Sequence, residues 1–170
     1  MRTVIIMRGL PGSGKSTVAK LFRDKAEAFI VSMDDFWTRD GQPYKFDKER
    51  INEAVQWTHD RFTQFIENDA DLIIVDNTNT QQWEYKWFKT QAEEMGYIVH
   101  LLEVQRPILE CHAACRHLVP FSKLFEMAER FERPAAAKLE NYVYGLLETV
   151  ASIQRKLATD DNSLHRIVGK

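Results

Sequence analysis

A chain of 170 residues, 44% of them hydrophobic, can bury one substantial core but is short for two domains, so a single domain is expected. Its 23 Lys and Arg against 25 Asp and Glu leave a formal charge of −2, which excludes the broad basic field that holds a long nucleic-acid duplex. No apolar run approaches the roughly 18 residues of a membrane span, and the chain enters an apolar strand at once, so a cytoplasmic protein with no membrane partner is expected.

Four short apolar runs, Val4 to Met7, Phe29 to Val31, Leu72 to Val75 and Ile98 to Val104, alternate with helical patterns. That alternation predicts an α/β fold built on a parallel sheet. Directly after the first run, Gly9 to Ser16 read G-L-P-G-S-G-K-S and lead into a helix starting near Lys15. A strand, this loop and a helix in sequence form a phosphate-binding (Walker A) loop, whose backbone N–H groups and helix end accept anionic oxygens. Gly9, Pro11, Gly12, Ser13, Gly14, Lys15, Ser16 and Thr17 are therefore candidate nucleotide-binding residues. Lys15 is expected to reach the β/γ-phosphates and Ser16 to ligate magnesium, which makes ATP and Mg2+ the expected ligands. A glycine-rich turn without a ligand is the weaker alternative. The following helix carries Val18, Leu21 and Phe22 on one face, expected to cover the sheet.

The second run leads into Ser32-Met33-Asp34-Asp35, two carboxylates at the strand edge where open α/β sheets bind ligands. One of them can orient an acceptor hydroxyl and take its proton in phosphoryl transfer; the alternative is that one caps the next helical turn. The loop Gly41 to Asp47, together with Trp37 and Arg39, has aromatic and basic residues suited to lining an acceptor site, though an exposed covering loop has the same composition. A helix after Asp47 places Ile51, Ala54, Val55, Phe62, Phe65 and Ile66 at helical spacing. The third run ends at Asp76, in the sequence I-I-V-D-N-T-N, where a carboxylate can hold magnesium through water. Asn77, Thr78 and Asn79 read as hydrogen-bonding or capping residues. Trp83, Trp87, Phe88 and Met95 form a further stripe expected in the core, closed by Gly96.

Two shorter helices, Ile108 to Cys115 and Ser122 to Phe131, follow the fourth run and flank His117-Leu118-Val119-Pro120. The cluster Cys111, His112, Cys115 and His117 lacks the tight knuckle of common zinc folds, so a partly buried helix is favoured over a metal site there and the cysteines are expected to be reduced. Beyond Arg133, Leu139, Val143, Leu146, Val150, Ile153 and Leu157 make a heptad-like seam, which suits packing on the domain itself or, alternatively, a homo-oligomer contact.

Taken together, G-L-P-G-S-G-K-S-T, S-M-D-D, Y-K-F-D at Tyr44 to Asp47, D-N-T-N at Asp76 to Asn79 and H-L-V-P at His117 to Pro120 resemble the P-loop polynucleotide kinases, above all phage-type 5′-hydroxyl kinases and related AAA-type ATP-binding kinase-like domains. The resemblance runs from about Thr3 to Phe131. It implies a P-loop kinase fold with a four-stranded parallel sheet, a helical lid over ATP, and Asp34 as the general base. It also implies a kinase that transfers phosphate to a hydroxyl of a single-stranded nucleic-acid end or a nucleotide-like acceptor. Lys15, Asp34 and the lid cation, for which Arg116 is preferred and Arg130 held in reserve, form the expected catalytic set. Asp35, Trp37 and Arg39 are expected at the acceptor, and Ser16 and Asp76 at the metal. Residues 1–133 then form the core with its lid at about 107–131, and 134–170 a C-terminal helix and tail of the same domain. Two departures stand out: Trp37 occupies the position where phage-type enzymes carry an acceptor-gripping arginine, and Arg116 stands alone in a lid segment that is usually arginine-rich. They keep two other readings open, a small-molecule or modified-base kinase and an ATP-binding interaction module without turnover.

Overall fold

In the computed structural model, residues 2–133 are described. The heptad-like seam, with the rest of 134–170, lies outside the described residues. Four parallel strands, β1 (Thr3–Arg8), β2 (Phe29–Val31), β3 (Leu72–Asp76) and β4 (Ile98–Glu103), form one sheet in the order β2-β3-β1-β4. The register pairs Met7 with Asp76 and Val31 with Val75, so the loops that leave β1, β2 and β3 meet at one edge of the sheet. The expected strands are all present, with bounds shifted by a residue at most.

Burial on both faces explains why these strands read as continuous apolar runs rather than alternating ones. Val4 and Ile6 of β1 point into one cluster with Phe62, Ile66, Tyr85 and Phe88, supplied by α3 (Ile51–Glu67) and α4 (Gln82–Glu94). The alternate residues Ile5 and Met7 point into the opposite cluster with Ala19, Val18 and Phe22 of α1 (Lys15–Ala26). Leu21, expected on that face, is exposed, because Ala19 and Phe22 complete the contact and α1 rolls it toward solvent. In α4, Phe88 is buried and Trp87 packs beside it, but Trp83 in the first turn is 70% exposed and Met95 is also exposed. The core stripe is thus narrower than the aromatic spacing predicts. Gly96 closes the helix at φ +77, a left-handed conformation that favours glycine.

A short helix α2 (Asp34–Thr38) follows β2, and the segment expected to form a lid holds α5 (Ile108–Ala114) and α6 (Phe121–Glu129). Neither Asp34 nor Asp35 serves as the cap. The Ser32 hydroxyl accepts from the Asp34 amide at 3.3 Å, leaving both carboxylates in the first turn, where the helix dipole favours negative charge. Among the described residues no helix is long and apolar enough to cross a membrane.

Candidate functional site

The phosphate loop lies between β1 and α1 with Gly9, Gly12 and Gly14 all at positive φ. Gly9 and Gly12 are both closed to a side chain: a Cβ would lie 2.6 Å from the carbonyl oxygen of Val104 at Gly9 and 2.0 Å from that of Cys111 at Gly12. That close approach seats the end of α5 on the loop, and the amide nitrogen of Cys115 lies against the same point. Gly14 precedes α1 as its N-terminal flanking residue, so the free amides of the first helical turn open onto the loop.

Lys15 is buried and donates to the carbonyls of Gly9 (3.0 Å) and Leu10 (2.9 Å), so its ammonium is folded onto the loop it belongs to. Burial pushes its pKa down, while the charges of Asp76 and Asp34 pull it back up. Asp76, at the end of β3, is buried too. Burial drives its carboxyl above the usual range, opposed by the facing Ser16 hydroxyl and by Lys15, and its Oδ1 has no hydrogen-bond partner among the described residues. Ser13 Oγ is buried and equally unpartnered. Two orphaned buried oxygens around a folded-back lysine leave hydrogen-bonding capacity for an anion and its counter-cation. Ser16 and Asp76 offer the hard oxygen donors that magnesium takes, so the residues present fit that ion.

Loops from β2 and β3 are joined by side chains. Ser32 Oγ donates to the Asp76 carbonyl (3.0 Å), and Asn77 Oδ1 accepts from the Met33 amide (2.9 Å), the link to the second strand's loop expected for this asparagine. Asn79, at φ +46, turns its amide to the Met7 carbonyl instead (2.7 Å), and α4 takes its cap from a reciprocal Gln81–Glu84 box.

Asp34 stands where these loops converge. Tyr44 Oη donates to its Oδ1 at 3.3 Å, His117 Nε2 lies 3.3 Å from its Oδ2, and the two rings stack with centroids 4.0 Å apart. Burial, followed by the charge and hydrogen bond of Asp34, pushes the Tyr44 phenol well above its ordinary pKa, so it remains a donor at neutral pH. Asp35 is exposed, and the opposite charge acting on it is Arg61 of α3. Trp37 is placed differently from expectation: it is 7% exposed and wedged edge-on against Phe36 and Phe46, leaving little of its indole for an acceptor to stack on. Arg39 lies flat over Phe36, with its guanidinium 3.8 Å from the ring centroid, and pairs with Asp40 at 3.9 Å.

Arg116 is exposed and free of hydrogen bonds and ion pairs among the described residues, within the turn whose flanking residues touch the phosphate loop through Cys115 and Asp34 through His117. Arg130 is instead drawn 3.6 Å from Glu84. Cys111 and Cys115 are buried free thiols, and burial pushes Cys111 up. Beside the loop a cavity of about 400 Å³ is lined by Leu10, Ser13, Val104, Arg106, Phe131 and Arg133 among others. Arg106 reaches both the Gly12 carbonyl (3.4 Å) and Glu110 (3.1 Å).

The contacts that three residues make here were not anticipated from sequence. Tyr44 and His117 lie in segments the motif pattern marks, but nothing in a linear spacing reveals that both reach one carboxylate. Arg8, at the end of β1, is 1% exposed: it donates to the carbonyls of Asn79 (2.9 Å), Thr80 (3.2 Å) and Glu132, and lies between the rings of Tyr85 and Phe131. It thereby pins the cavity wall at Phe131 to the end of the sheet. An arginine closing an apolar strand is the one sequence signal for it.

Comparison with known proteins agrees with this arrangement. A family model described as an AAA domain matches residues 4–134. NEDD4-binding protein 2 of Homo sapiens is 39% identical over 97 residues, which are 56% of this chain, and the chain spans only 5% of that protein's length. Among solved structures, a chain of the Pnkp1/Rnl/Hen1 RNA repair complex superposes with TM-score 0.63 at 19% identity, covering 76% of this chain and 44% of that one. A gluconokinase from Sinorhizobium meliloti 1021 gives TM-score 0.53 at 16% identity, covering 94% and 99%. The family match shows that the chain belongs to the AAA domain family, and its four-stranded parallel sheet flanked by helices is the fold of the P-loop kinases.

Proposed function

We propose that this protein is an ATP-dependent phosphotransferase that moves the γ-phosphate to a hydroxyl of a nucleic-acid end, a 5′-hydroxyl above all, or of a nucleotide. The observation that carries this reading is the position of Asp34: a carboxylate held by two side chains at the sheet edge, close enough to Lys15 for its charge to raise the lysine's pKa. A domain that only bound ATP would have no use for an oriented acid beside the phosphate lysine.

The amides of the loop and of the first turn of α1 hold the phosphates, and Lys15 exchanges its two carbonyl partners for phosphate oxygens. Ser16 and Asp76 hold magnesium, which supplies neutralisation of phosphate charge. The cavity next to Leu10 and Phe131 accepts the base end of the nucleotide. Asp34 orients the acceptor hydroxyl and takes its proton as the new oxygen–phosphorus bond forms and the bond to the departing ADP breaks. Arg116 faces the charge that spreads over the transferring group. A nucleic-acid acceptor is supported by the motif pattern and by the RNA repair assignment of the Pnkp1 relative.

A small-molecule acceptor is the second reading. It is favoured by the burial of Trp37 at the position of an acceptor-gripping arginine and by the gluconokinase named among the structural neighbours. Transfer of labelled γ-phosphate from ATP to 5′-hydroxyl DNA and RNA oligonucleotides, beside a panel of nucleosides and sugars, separates the two. Labelled oligonucleotide supports the first, labelling of a free small molecule alone selects the second, and no labelled acceptor of either class defeats both.

A further inference from the structure

Each oxygen of the Asp34 carboxylate is met by one side chain, and the two side chains come from different segments. Tyr44 belongs to the loop between α2 and α3 and engages Oδ1, while His117 belongs to the turn between α5 and α6 and engages Oδ2. Their rings also stack on one another at an interplanar angle of 29°, so neither can rotate away without disturbing the other. A carboxylate on an exposed first helical turn has free rotation about its own side-chain bonds; a contact on each of its oxygens restricts it.

We propose that Tyr44 and His117 act as a pair of positioning residues that fix the orientation of Asp34. The proposal rests on the reading of Asp34 as the base. Carboxylate oxygens have about four lone-pair sites in all, so two contacts leave room for an acceptor hydroxyl while defining the direction from which it must come. Other charges facing Asp34 come from Lys15 on the phosphate loop, Asp35 on its own helix and Asp76 on β3, and the Cys115 thiol faces Tyr44. All four remain in place when either ring is altered. His117 arrives on the turn that carries Arg116 and touches Gly12 through Cys115, so the base is oriented from the same element that supplies the lid cation.

Tyr44→Phe and His117→Phe keep a stacked ring and delete one contact each, and His117→Gln restores a donor without the ring. The carboxyl 13C resonance of Asp34, assigned by its loss in Asp34→Asn, is recorded at one neutral pH in the full chain. Transfer rates and the affinity for a non-hydrolysable ATP analogue are measured on the same samples. Either Phe variant is expected to shift that resonance and to broaden it, as the carboxylate regains rotational freedom. kcat is expected to fall by about tenfold with analogue affinity unchanged, and His117→Gln to recover part of the loss. An Asp34 resonance unchanged in position and width in both Phe variants overturns the pair. So does a fall in analogue affinity that matches the fall in rate, since that marks a general structural role. If the unaltered protein labels no acceptor, the functional reading fails by itself, and the carboxyl resonance still decides whether the two rings orient Asp34.

Discussion

The two halves of the site are built by different means. The proposed phosphate half is made of backbone and buried groups: a glycine loop with two positions closed to any Cβ, a lysine folded onto carbonyls, and Asp76 at a strand end. The acceptor half is made of half-exposed side chains from separate segments, with Asp34, Tyr44 and His117 meeting only because the chain returns from α5 to the end of β2. A backbone cradle is specified by a short contiguous string. A side-chain constellation needs the whole fold to assemble it, and it can drift in specificity while the cradle stays fixed.

Substitutions can test that division, beginning with the largest expected effect. Lys15→Met, which keeps most of the buried volume, is expected to lower phosphoryl transfer by about 10³-fold or more with the fold intact, read from initial rates and circular dichroism. An equal loss of folded protein would move Lys15 from chemistry to structure. Trp37→Ala is expected to act on the fold: about 3–5 kcal/mol in denaturant unfolding, the usual cost of emptying a buried aromatic site, with the acceptor KM little changed in the protein that remains folded. The reverse pattern would return Trp37 to the acceptor surface. Arg116→Ala should cost about 10²-fold in kcat, while Arg130→Ala, whose guanidinium is already drawn to Glu84, should change it by less than about twofold. If Arg130 proves the more costly, the lid cation has been misplaced by one helix.

The smallest effect concerns Asp76 and stability. Burial raises its folded pKa above the unfolded value, so the charged carboxylate costs stability at pH values above the folded pKa, and that cost fades as pH falls toward the ordinary carboxylate range. Asp76→Asn is therefore expected to raise the melting temperature of the ligand-free protein at neutral pH, with the gain vanishing in acid, and to abolish the extra stabilisation by ATP with magnesium. A lowered melting temperature at neutral pH would show that Asp76 is held by partners as an anion rather than strained by burial.

What the sequence disclosed follows the same division. The strands were legible because burial on two faces makes them unbroken apolar runs, and the loop because glycine, lysine and serine have few other reasons to fall at that spacing. Asp34 and Asp76 were legible as strand-end carboxylates. Trp37 and Trp83 were read in opposite directions from their actual burial, because an aromatic residue suits a core and a stacking surface equally and one helical turn decides between them. Arg8 escaped notice because its partners are carbonyls 71 and more residues away, with no acidic residue to betray the pairing. The Asp34–His117 contact likewise depends on tertiary return of the chain, which no local pattern encodes.

The account's central claim is that nucleotide holding and acceptor activation are separate tasks of the two halves. Its most direct test pairs two readings on Asp34→Asn and the unaltered protein, affinity for an ATP analogue and transfer of labelled γ-phosphate to the preferred acceptor. The account predicts unchanged affinity with transfer reduced by about 10²-fold or more. Full transfer in the variant, or an affinity loss as large as the rate loss, would contradict it.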